Sequence, residues 1–188
     1  SATYGSPVFQ SASSLHDTPP SGAAATLVKP TQLVASPTGQ GLFVLDANST
    51  QSMLFELAIT SSGQLANDPN PAFMAGNNPV ALSISPTAAV AYVTDATTLQ
   101  TTALNIAEPR NPFTLFSFTS STTPTSNAVT PDGKFVIVGT VVGLWNMAQL
   151  DILLASDGTN HGTSLFGDIN SLAVSPTSSS LTLSSTLR

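Results

Sequence analysis

Asp46 and Asp95 stand nine residues after Pro37 and Pro86, and the matching places after Pro131 and Pro176 hold Thr140 and Ser185. Two carboxylates and two hydroxyls at one recurring position converge if the recurring unit is arranged around an axis. Such a set of hard oxygens suits a cation. The bland alternative is that each side chain caps the turn after its strand, as Asp commonly does through nearby backbone N–H groups. Arg110, between Pro109 and Asn111, offers forked donors to an acidic ligand, or it pairs locally with Glu108 for little gain. His16 and His161 are the only histidines, and neither has a partner at metal-ligand spacing, so no metal site is expected. His161 lies in a polar hairpin loop over residues 157–162. Trp145 lies in an apolar run and reads as packing. No nucleophile elbow, phosphate-cradling glycine loop or paired histidines occur, so no catalytic residue and no cofactor is assigned.

The elements that position these residues must come from an unusual composition. The chain has 188 residues, 41% hydrophobic and only 7% charged, where a quarter charged is usual. Serine and threonine, more than a quarter of the positions, take the place of charge. Ten acidic against four basic residues give a net charge of −6. With no cluster of Lys or Arg to neutralise phosphates, nucleic acid and anionic membrane surfaces are excluded as partners. The absence of cysteine removes disulfides, thiolate metal sites and cysteine nucleophiles. A stretch from Phe135 to Leu150 mimics a membrane span, but it is shorter than the roughly 20 residues a spanning helix needs and is broken by Gly and Asn. Buried strands are expected there. A chain starting at Ser1 is read as a processed mature chain or an excised segment.

One pattern recurs through the chain. PTQLVASPTGQGLFVLD from Pro30, PVALSISPTAAVAYVTD from Pro79, PTSNAVTPDGKFVIVGT from Pro124 and INSLAVSPTSSSLTLSS from Ile169 align without gaps. A hydroxyl residue (Ser36, Ser85, Thr130, Ser175) precedes each inner proline, and Val44, Val93, Val138 and Leu183 follow seven positions after it. Each unit reads as a half-buried strand, a proline-initiated turn, and an apolar second strand. A third strand is expected at 53–60, 101–107 and 147–155. Turns at Ser62-Gly63 and Asp157-Gly158 then lead to a fourth at 72–75, 113–118 and 164–166. Four strands per unit at a period near 45 is the signature of a β-propeller blade. The expected fold is therefore all-β, a propeller of four-stranded antiparallel blades with three and a half to four blades present. They span 30–78, 79–123, 124–168 and a partial 169–188. Residues 1–29 form an N-terminal segment that includes a closing strand over 1–15 and a linker.

Tyr92-Val93-Thr94-Asp95, and Leu54–Ile59 followed by Gly63-Gln64-Leu65, carry a resemblance over residues 30–188 to the YVTN-type propeller repeat. The pattern is similar in particular to the lactonase-like propellers related to bacterial 6-phosphogluconolactonase. That resemblance implies scaffold more than chemistry, since such repeats host enzymes and binders alike. It also implies seven blades, more than this chain holds. A four-bladed ring, a piece of a larger propeller and a part completed by a partner chain all fit. The functional expectation is a non-enzymatic extracytoplasmic module (secreted, periplasmic or cell-surface) that binds or builds protein–protein assemblies. Its partner is another protein or the remainder of the propeller. The alternative is a lactonase-like hydrolase acting on a small acidic lactone, for which only Lys29, Arg110, Lys134 and Arg188 could anchor the substrate.

Overall fold

The computed structural model describes residues 16–17, 25–39, 41–47, 52–63, 65–67, 73–107, 113–142, 147–166, 171–174 and 181–184. Among them every regular element is a β-strand. A two-stranded ribbon of β1 (His16–Asp17) and β2 (Ala25–Thr26) precedes the repeats. The first blade holds β3 (Pro30–Ala35), β4 (Gly41–Asp46), β5 (Ser52–Ile59), β6 (Leu65–Asn67) and β7 (Phe73–Gly76). The second holds β8 (Pro79–Ile84), β9 (Val90–Asp95), β10 (Gln100–Asn105) and β11 (Phe113–Thr119). The third holds β12 (Thr123–Val129), β13 (Phe135–Val142), β14 (Met147–Leu154) and β15 (Asn160–Phe166). The pair β16 (Ser171–Val174) and β17 (Leu181–Ser184) opens a fourth. All pairings are antiparallel and, apart from β7, which pairs with β5, run in chain order. The first strands β3, β8, β12 and β16 adjoin one another in sequence, so they line one side of the stack and the blades are propeller-like.

Two departures from the expected strands are instructive. In the first blade the outer strand comes in two pieces along one edge of β5. β6 pairs with Leu57–Ile59, and β7 pairs with Ser52–Leu54. The residues between, 68–72, include Pro69 and Pro71, which cannot donate to a ladder. In the third blade the outer strand begins at Asn160 instead of Ser164. His161 is thus a strand residue, exposed and edge-on to Phe135 with ring centroids 6.1 Å apart.

The recurring prolines Pro37, Pro86 and Pro131 occupy the same turn, between the first and second strands of their blades; Pro176 and the 1–15 segment lie outside the described residues. In each turn the hydroxyl residue's carbonyl accepts from the N–H three residues on: Gly39, Ala88 and Gly133, all at 2.8 Å. Its own N–H donates to Gly41, Val90 and Phe135. The Ser85 hydroxyl accepts from the N–H groups of Ala89 and Val90, and the Thr130 hydroxyl from that of Phe135. The residue closing the turn has positive φ every time: Gly39 at 73°, Ala88 at 55°, Gly133 at 70°. This is the geometry of a turn followed by a bulge, with proline presetting the first bend.

Alternation along the strands sends successive side chains to opposite faces, and the faces turned toward each other pack blade on blade. Phe43, Leu45, Leu54 and Phe73 of the first blade meet Leu82, Ile84, Val93, Leu104 and Ile106 of the second in one buried cluster. Tyr92, Ala103 and Phe116 of the second meet Val136, Val138 and Leu153 of the third in another. The outward face of the first blade carries Val44, Met53, Phe55 and Leu57, buried with Leu27 against them.

Candidate functional site

At the end of the blades opposite the proline turns, Asp46 closes β4 and Asp95 closes β9, each opposite the proline that starts its blade. Both are buried, at 1% and 5% exposure. The Asp95 carboxylate takes four backbone donors. Oδ2 accepts from Asn77 N at 2.6 Å and Asn78 N at 2.8 Å, and Oδ1 from Thr97 N and Thr98 N at 2.8 Å each. Burial alone would raise its pKa, but the N–H groups of Thr98, Asn78, Asn77 and Thr97 outweigh it and hold the carboxyl below the usual range. Among the described residues Asp46 repeats the connector side of this arrangement, accepting from Val28 N at 3.1 Å and from Lys29 N. In the first and second blades the two residues before the proline are therefore clamped to the carboxylate at the end of the second strand.

Gly76 shows how tight the clamp is. It has φ 104°, and a Cβ there would strike the Asp95 carboxylate. In the third blade Thr140 takes the position, 1% exposed, and the clamp becomes a hydroxyl pair in which Thr122 Oγ1 donates to Thr140 Oγ1 at 2.9 Å. Ser185 and Arg110 lie outside the described residues. Each of the three described positions is engaged with its own connector between blades. Among the described residues, no three His, Asp or Glu side chains come together in a way that could hold a metal ion.

Other polar residues, not singled out by the spacing argument, join one blade to the next. Gln32 on β3 clasps the backbone of β8, with Nε2 donating to Leu82 O at 3.0 Å and Oε1 accepting from Leu82 N at 2.7 Å. Asn127 on β12 reaches back to the second blade, donating to Tyr92 O at 3.0 Å and Thr94 Oγ1 at 2.8 Å. Thr94 in turn pairs with Thr101 at 2.9 Å. On the same face of the third blade, Asn127, Val138, Asp151 and Thr163 stand opposite one another on four adjacent strands. Asp151 is 2% exposed, and its Oδ1 accepts from Gln149 Nε2 and Thr163 Oγ1, both at 2.9 Å. The repeat alignment contains the signal for Asn127, since Leu33, Leu82 and Leu172 hold that position in the other units. Asp151 is visible as the single charge in the apolar β14.

Comparison with known proteins agrees with this architecture. No protein-family model and no curated protein matches the chain. Solved structures do. A candidate 6-phosphogluconolactonase from Bacteroides fragilis superimposes with a TM-score of 0.64 at 15% identity, over 82% of this chain and 47% of that one. A functionally unknown protein from Desulfotomaculum acetoxidans gives 0.59 at 19% identity, over 77% and 44%. Hydrazine synthase from Kuenenia stuttgartiensis gives 0.57 at 18% identity, over 80% and 42%. The fold is propeller-like, with lactonase-like neighbours. The chain spans less than half the length of each of these proteins. Among the described residues, no helix is long and apolar enough to cross a membrane.

Proposed function

We propose that the chain is a non-enzymatic, extracytoplasmic propeller module that serves binding or assembly. The observation that carries this reading is the state of Asp95. A carboxylate already saturated by four backbone N–H donors has little capacity left to activate water or to hold a cation, and its lowered pKa opposes proton uptake. The acidic, Ser/Thr-rich and Lys-poor composition supports a place outside the cytoplasm. We assign the units to the YVTN-type repeat because each residue of Tyr92-Val93-Thr94-Asp95 has its own task. Tyr92 packs toward the third blade, Val93 toward the first, Thr94 meets Asn127, and Asp95 clamps the connector.

The partner in this reading is further propeller. Leu33 is 62% exposed whereas Leu82, its equivalent one blade on, is 2% exposed beneath the first blade. An exposed apolar side chain at a position built for stacking marks a surface for another blade. Light scattering of the 188-residue chain should report self-association or instability, and a stable, soluble monomer counts against it.

A lactonase-like hydrolase is the second reading, favoured by the similarity to the Bacteroides fragilis protein. A lactone-hydrolysis assay on the purified chain separates the two. Turnover that is abolished by Asp46→Asn and Asp95→Asn, with the fold retained, overturns the module reading.

A further inference from the structure

A groove of about 460 Å³ lies between the second and third blades at the proline-turn end, the opposite end of the strands from Asp46 and Asp95. Its apolar wall is formed by Pro86, Val90, Tyr92, Phe135, Leu154 and Ala155. This volume falls in the range of small-molecule sites, roughly 300–1,000 Å³.

The repeat explains why the space is there. Ala155 N donates to Lys134 O just as Ile106 N donates to Ala89 O one blade earlier, both at 2.9 Å, so Ala155 is the counterpart of Ile106. Ile106 is 4% exposed inside the cluster joining the first and second blades. Replacing it with alanine removes three carbons from the same place at the next junction. Likewise Gly133 stands where Ala88 packs against the earlier cluster.

The rim is polar, and its charge is uneven. Lys134, one of only four basic residues, borders the groove. Its one ion pair among the described residues, with Asp132 at 3.4 Å, joins two side chains that are 71% and 50% exposed, a pairing of small worth. Asp132 is independently held by Thr130 Oγ1 at 2.6 Å and Lys134 N at 3.1 Å. Lys134 can therefore turn to another anion without leaving Asp132 unpaired. The Tyr92 hydroxyl donates to Ala155 O over a long 3.4 Å, and burial keeps the phenol protonated.

We infer that this groove binds a small aromatic carboxylate, with its ring against the wall that Val90, Tyr92, Phe135 and Ala155 form together and its anionic group at Lys134. The inference is independent of whether the opposite end of the blades is catalytic. The test is an amide-shift NMR titration of the chain with 3-phenylpropionate. Saturable shifts are expected at Lys134, Phe135, Ala155 and Ser156. Ala155→Ile, which restores the side chain of the preceding junction, should abolish them. Lys134→Gln should weaken binding up to about fivefold, as should exchange of the ligand for the neutral 3-phenylpropionamide, the limit for an exposed charge pair. If Ala155→Ile fails to fold, Lys134→Gln, an exposed replacement, decides. Absence of saturable shifts, shifts centred elsewhere, or equal affinity for acid and amide overturns the assignment.

Discussion

The junction between the first and second blades and the junction between the second and third use the same backbone frame with different chemistry. In the first, Leu45 and Leu54 stand opposite each other on β4 and β5 and face Leu82 and Val93. In the second, the same positions hold Thr94 and Thr101, and Leu82 is replaced by Asn127. Three apolar residues have become three polar ones together, so the hydroxyl of Thr94 finds the amide of Asn127. Four buried side-chain oxygens have no hydrogen-bond partner among the described residues, those of Ser83, Ser120, Asn127 and Asp151, and all four residues belong to the second and third units. The first junction is held by area; the second is held by a network that must be complete to be worth its burial. The blade frame is thus set by strand register, turn and clamp, which leaves the faces free to vary.

The largest effect should come from breaking what both junctions share. Asp95→Ala strands four backbone donors, two of them in the connector between blades, and should destabilise by about 3–5 kcal/mol in denaturant unfolding. Asp46→Ala strands the N–H groups of Val28 and Lys29 and should cost at least about 1–3 kcal/mol. A pH series sharpens this. The folded pKa of Asp95 lies below its ordinary value. Its contribution is therefore present above the unfolded value near 3.9 and is lost as pH falls through the folded one. Asp95→Asn should flatten that acid limb, and an unchanged limb would show that the clamp does not couple to stability.

The frame was legible in the sequence because it is periodic. Pro37, Pro86 and Pro131 mark matching turns, and Asp46 and Asp95 mark matching strand ends, with Thr140 at the same register inside the longer β13. What those strand-end residues do was less legible. Spacing placed two carboxylates at equivalent positions and left cation binding and turn capping both open; backbone geometry shows that Asp95 caps its following turn and also takes the N–H groups of the preceding connector. The split outer strand of the first blade was also obscured, since Pro69 and Pro71 interrupt a pattern that is continuous in the other blades. The junction polarity was written in the alignment at Asn127, yet its meaning required knowing which face of the strand meets which blade.

Exchanging the two chemistries tests the contrast directly. Ile106→Ala, made in the apolar junction, should cost about 2–4 kcal/mol through lost transfer energy and a residual cavity. Ala155→Ile at the other junction should cost far less or stabilise, because the space is already there. Asn127→Leu alone removes the donor to Tyr92 O and Thr94 Oγ1 and should cost about 1–3 kcal/mol. Adding Thr94→Leu and Thr101→Leu should recover most of that, with a coupling of about 0.5–3 kcal/mol between sites. Additive losses across the triple variant would mean that the polar residues act separately.

The smallest expected effect isolates a single backbone angle. Ala88 closes the Ser85-Pro86 turn at φ 55°, where Gly39 and Gly133 close the equivalent turns. A left-handed conformation costs a residue with a Cβ about 1–2 kcal/mol, while glycine adds unfolded-state entropy that cancels part of the relief. Ala88→Gly should therefore stabilise by about 0.5 kcal/mol, and Gly133→Ala should destabilise by a similar or larger amount. Its new Cβ would approach the Pro86 ring at 3.4 Å, an ordinary contact, so the loss would come from the angle and not from a clash. Should Ala88→Gly instead destabilise, the packing of the Ala88 methyl against the first junction outweighs the strain. The two junctions would then differ at the turn for the same reason they differ in the core: the apolar one uses every methyl group it has.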